Sequence, residues 1–166
     1  MFGLAGVAAL VTSSCQPKAN WQTFNAAGLK LDVPATPEDT HTPIPEAIAS
    51  VTDDFKLWQC HGDDCEIAIS HGAYKQPANL QGAAEGAISG IKSKLADLKV
   101  KDTSPVTVSG HEGIEAHVTY SAAGNNLDGS IFTFTDGPKL WQVQVLSTKG
   151  SSEKVAARVK ASMKFE

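Results

Sequence analysis

The chain has 166 residues, with 18 acidic against 14 Lys and Arg side chains and a net charge of −4. Hydrophobic residues are 42 % and charged residues 19 %, which suits one folded domain and excludes a disordered chain rich in charge. No basic excess exists to displace counterions from phosphates, so nucleic acid is not an expected partner. No apolar run is long enough to span a bilayer.

Phe2 to Val11 is uncharged and apolar, and the small residues Thr12-Ser13-Ser14 lead into Cys15. That pattern fits the apolar core of an export signal, which is shorter than a membrane span. It resembles the lipobox of bacterial lipoproteins. The resemblance implies a signal peptide over 1–14 and a diacylglyceryl thioether on Cys15. The new amino terminus would be acylated, and a short tether would follow to residue 20. Three acyl chains at about 0.8 kcal/mol per buried methylene make a permanent membrane anchor. Gln16, where an Asp resembles an inner-membrane retention signal, points to the outer membrane. The competing reading is an N-terminal helix that stays on the protein and is buried.

The three cysteines are Cys15, Cys60 and Cys65. An odd count in an exported chain leaves one thiol to explain, and lipidation of Cys15 uses it. Cys60 and Cys65 flank His61-Gly62-Asp63-Asp64 between two strand-like runs, 55–59 and 66–70. A four-residue loop there would set Cys60 opposite Cys65 and Trp58 opposite Ile67, geometry suited to a cross-strand disulfide. Closing so small a loop adds about 2 kcal/mol and needs an oxidising compartment such as the periplasm. The other readings are a redox pair, which more often has two intervening residues, and a zinc site, which needs two further ligands.

The rest of the chain, 21–166, reads as one domain. Leu29, Leu31 and Val33 alternate with Lys30 and Asp32 as a half-buried strand. Pro34, Pro37, Pro43 and Pro45 make 34–45 an extended loop, and strands resume over about 47–60 and 65–74. Asn79 caps a helix expected to run to Leu98, with Leu80, Ala84, Ala87, Ile88, Ile91, Leu95 and Leu98 on its apolar face. Gly82, Gly86 and Gly90 recur every fourth residue in it. The polar residues around them exclude a membrane-helix contact stripe, so close packing of the helix on a sheet is expected. Beyond it lies a meander, with turns at Gly110, at 123–126 and at Asp136-Gly137. A final helix starts near Ser151 with Val155 and Val159 inward.

This order implies an α+β fold: a single antiparallel sheet with one long helix and a C-terminal helix packed on it. Three segments are similar to the PsbP/Mog1-like superfamily, including DcrB-type bacterial lipoproteins. They are Gly28-Leu-Lys-Leu-Asp-Val-Pro34, the meander from Val108-Ser-Gly-His-Glu-Gly-Ile114 to Leu146, and the ending Ala161-Ser-Met-Lys-Phe165. The resemblance implies a binding or assembly factor without a catalytic site, and it carries over no functional residue.

Catalytic motifs are absent. There is no G-x-S-x-G elbow, no H-E-x-x-H and no phosphate loop. Glu115 and His117, two apart on a strand, are expected on a solvent-facing side. The function expected is a lipid-anchored, non-catalytic cell-envelope protein that binds a partner protein or envelope component and needs no cofactor or metal. An exposed apolar patch near Trp21 or in the 34–45 loop would mark its binding surface. The alternative is a small periplasmic hydrolase or metal-dependent enzyme using His61, His71, Glu115 or His117, which requires at least three of them in one cleft. A third reading, carriage of a lipid or small molecule, requires an apolar cavity between sheet and helix.

Overall fold

The computed structural model describes residues 20–44, 46, 48–95 and 97–166. The expected signal segment over 1–14 and the expected lipidation site Cys15 lie outside them. The strands are β1 (Gln22–Ala26), β2 (Leu29–Val33), β3 (Glu38–Asp39), β4 (Thr52–His61), β5 (Cys65–Tyr74), β6 (Lys99–Val108), β7 (His111–Ala122), β8 (Asn125–Asp136), β9 (Lys139–Ser147) and β10 (Lys164–Phe165). The helices are α1 (Leu80–Lys92), between β5 and β6, and α2 (Glu153–Ser162), between β9 and β10.

All strand pairs are antiparallel, and the large sheet has the order β3-β4-β5-β9-β8-β7-β6. The turns explain the meander. Ser109-Gly110 and Ala123-Gly124 each put both central residues at positive φ, 50° and 84° in the first and 50° and 79° in the second. Two left-handed residues in succession match the twist of the flanking strands, and glycine takes the second position without steric cost.

The sequence pattern suggested one sheet. The structure adds a second of three strands, β1-β2-β10. It forms because Lys164 and Phe165 return to pair with Lys30 and Leu29. This small sheet and α2 cover one face of the large sheet, and α1 covers the other. Phe132, Phe134, Val143, Val145, Ile67 and Ile69 fill the first interface together with Leu29, Leu31 and Val159. Ala87 and Ile91 pack on Ala116, Val118 and Ile131 in the second. Trp141 ties the layers together, its Nε1–H donating to the Ala26 carbonyl at 3.0 Å.

Several expectations are corrected here. The helix expected to reach Leu98 ends at Lys92, where the backbone N–H of Ser93 closes the last turn. The strand expected from residue 47 starts at Thr52. The glycine stripe does not pack on the sheet. Gly82, Gly86 and Gly90 are exposed, and a Cβ on Gly86 or Gly90 would meet nothing within 4 Å. The helix seats itself instead through Ala84, Ala87 and Ile91.

Candidate functional site

The six residues singled out from sequence within the described chain fall in three places. Cys60, Cys65 and His61 lie at the β4–β5 hairpin. His71 lies at the opposite end of β5. Glu115 and His117 lie on β7, near the far edge of the sheet.

At the hairpin the register differs from the expected one by two residues. Cys60 faces Ile67 and Trp58 faces Ile69, while His61 faces Glu66. The Gly62 N–H donates to the Cys65 carbonyl at 2.8 Å, leaving Asp63-Asp64 as a tight turn in place of the four-residue loop. Glycine suits this position, because a Cβ there would stand 2.9 Å from the Cys65 Sγ. The two cysteines are therefore diagonal neighbours on one face rather than directly opposite. Diagonal Cα atoms are typically about 7–8 Å apart, so joining the sulfurs requires the strands to close by an ångström or two. Both thiols are buried and unbonded. Burial, helped by the neighbouring Cys65, pushes the Cys60 thiol up to about 11, and burial likewise raises Cys65. Thiols held protonated in this way are poor nucleophiles, which argues against a redox catalyst. His61 is exposed.

His71 is only 7 % exposed and its two ring nitrogens have no hydrogen-bond partner. Its ring lies 5.1 Å from that of Trp141. Burial holds its pKa below the ordinary imidazole value, so the ring is neutral packing material.

Glu115 and His117 were expected on a solvated face. Glu115 is instead 4 % exposed; α2 packs on the neighbouring β8 and on β2, and its Lys160 side chain reaches over to β7. Lys160 of α2 ion-pairs with Glu115 Oε2. His117 Nε2 lies 3.4 Å from Glu115 Oε1 and 4.0 Å from Asp102 Oδ1, and Ser130 Oγ is 3.2 Å from His117 Nδ1. Sequence reasoning missed Lys160, Asp102 and Ser130. They come from three other elements, and no local pattern links them to Glu115. The Ser-His-carboxylate arrangement does not make a hydrolase, because Ser130 is 4 % exposed and a nucleophile must reach its substrate. Among the described residues, no group of three or more His, Cys, Asp or Glu is arranged to hold a metal ion.

Among the described residues, neither Trp21 nor the loop over 34–44, where Pro43 is exposed, shows a large exposed apolar side chain to mark the anticipated patch. Trp21 is half-buried under the Arg158 guanidinium, 3.9 Å from its ring. Pro34 and Pro37 are buried. The large apolar side chains that are exposed among the described residues are Val51 and Val100.

No protein family and no curated protein matches the sequence. Solved structures do. The solution structure of cyanobacterial PsbP (CyanoP) from Synechocystis is 12 % identical, covers 95 % of this chain and 99 % of its own, and has a TM-score of 0.59. A Bacteroides thetaiotaomicron protein is 14 % identical over 87 % of this chain and 48 % of its own, with a TM-score of 0.51. A Pseudomonas aeruginosa protein of unknown function is 10 % identical over 82 % of this chain and 89 % of its own, with a TM-score of 0.43. Near-complete mutual coverage with CyanoP, together with the α+β architecture of antiparallel sheets and two helices, identifies the fold of this chain as PsbP/Mog1-like.

Proposed function

We propose that this protein is a lipid-anchored domain of the bacterial cell envelope that binds a partner protein or envelope component and performs no catalysis. The observation that carries the non-catalytic part is the scatter of the candidate groups. Of His61, His71, Glu115 and His117, only Glu115 and His117 approach each other, and Glu115 is already held by Lys160. A catalytic acid or base needs a reachable partner in a cleft, and this pair is occupied in joining a helix to a sheet.

The anchor rests on the sequence of residues 2–15 and on the even pair of cysteines left once Cys15 is lipidated. In an oxidising periplasm, Cys60 and Cys65 close as a structural disulfide, since they already share a face at the hairpin. The outer membrane is the proposed location, on the strength of Gln16.

Mass spectrometry of the native protein extracted from membranes tests this reading. The expected product lacks residues 1–14, carries three acyl chains at Cys15 and has lost two hydrogens between Cys60 and Cys65. A Cys15→Ala variant is expected to leave the membrane fraction. A full-length chain with an unmodified Cys15 would overturn the anchor.

A further inference from the structure

A cavity of about 500 Å³ opens at the N-terminal end of α1, where the end of β5, the start of β9 and the turn before β4 meet. That volume lies within the range of small-molecule sites, about 300–1,000 Å³. We propose that it binds a small apolar molecule with a single anionic head group, of the class of a medium-chain carboxylate. The inference stands apart from the anchor reading, since it needs neither Cys15 nor a membrane.

The walls account for the apolar part. Val51, Tyr74, Pro77, Ala78, Ala83 and Leu140 line the cavity, and Val51 stands 48 % exposed there. An apolar side chain left in water at the mouth of a concave, mostly apolar site gains by being covered. The site is also pre-formed. Tyr74 N–H donates to the Pro138 carbonyl at 2.8 Å, Ala78 N–H to Gly137 at 2.9 Å and Lys75 N–H to Val51 at 2.9 Å. These bonds fix the 74–78 segment to the β8–β9 turn on one side and to the turn before β4 on the other, so a ligand has little backbone to order.

The charges account for the head group. Lys75 lines the cavity, and its Nζ reaches across to the Ser50 carbonyl at 3.0 Å. Asn79, Gly82 and Ala83 of the first turn of α1 line the cavity; the Gly82 and Ala83 N–H groups already donate to the Asn79 side chain and carbonyl at 2.7 and 2.9 Å, so these groups contribute the positive end of the helix dipole and no free donor. None of the described lining residues is acidic. A lysine and a helix start without an opposing carboxylate complement an anion. The apolar walls exclude a free inorganic one as the best fit.

The test is an amide-resolved NMR titration of the full chain with decanoate below its micelle concentration, alongside decan-1-ol as the uncharged counterpart. Saturable shifts are expected at Val51, Lys75, Ala78 and Gln81, with decan-1-ol binding about tenfold or more weakly, the range of a charge-assisted contact. Lys75→Gln is expected to bring decanoate down towards decan-1-ol. Val51→Asp, at an exposed position that the fold tolerates, is expected to weaken decanoate at least about tenfold, and Ala83→Trp is expected to fill the site. Shifts that do not saturate, that cluster elsewhere, or that survive both Val51→Asp and Ala83→Trp would overturn the site. Equal binding of decanoate and decan-1-ol would overturn the anionic head group.

Discussion

His71 shows how a residue that looks functional in sequence can be inert and still govern behaviour. Its imidazole is buried beside Trp141 with neither nitrogen bonded. Burial is the main cause of its lowered pKa; Lys139 and Lys56 add to the lowering and Asp54 opposes it. In the unfolded chain the ring titrates near 6.5. Below that pH the unfolded state takes up a proton that the folded state refuses, so stability is full above about 6.5 and declines as pH falls towards the depressed folded value. Urea denaturation across this interval should show the decline. His71→Phe should flatten it and add about 1 kcal/mol, by removing two buried polar atoms without partners. A variant that keeps the parent slope would assign the decline to other groups.

At the scale of the element, α1 carries its glycines on the wrong side for a packing role. Gly86 and Gly90 face open space, so a methyl group there creates no clash and removes backbone freedom from the unfolded chain. Gly86→Ala should raise stability by about 0.5–1 kcal/mol, read as an upward shift in thermal melting. Had the stripe been pressed against the sheet, the same change would lower it. The periodicity of Ala84, Ala87 and Ile91 was legible because burial follows the helical repeat. The four-residue glycine repeat was misleading, because spacing alone does not say which side of a helix faces the protein. The hairpins were legible for a different reason: positive-φ turns need glycine, and it is written into the sequence at 110, 124 and 137. The two-residue shift at Cys60–Cys65 was not legible, since four residues between strands serve either a long loop or a tight turn.

At the scale of the whole molecule, what escaped the sequence is what joins distant segments. β10 is two residues long and pairs across nearly the whole chain with β2, so no local pattern announces the second sheet. The same return of the chain lays α2 along β2 and β8, from where Lys160 reaches Glu115, an apparent surface charge that is in fact buried. The Lys160–Glu115 pair therefore joins two layers. Lys160→Ala should cost about 1–2 kcal/mol in chemical denaturation, less than a fully enclosed pair because the lysine side chain is 43 % exposed. Adding Glu115→Gln should cost less than the sum of the two single changes, since the second removes the charge that the first left unpaired. Strict additivity would mean that the two side chains do not act together.

The direction of β5 has one further consequence. Its first residue, Cys65, lies near Gly62, whose Cα side abuts Pro34 just beyond Val33, the partner of Gln22 at the start of β1. Its last residue, Tyr74, lines the cavity. Ten residues of strand at about 3.3 Å each set those two ends roughly 30 Å apart. If the chain is anchored through its amino terminus as proposed, the mooring point and the cavity would thus lie at opposite ends of β5, roughly 30 Å apart.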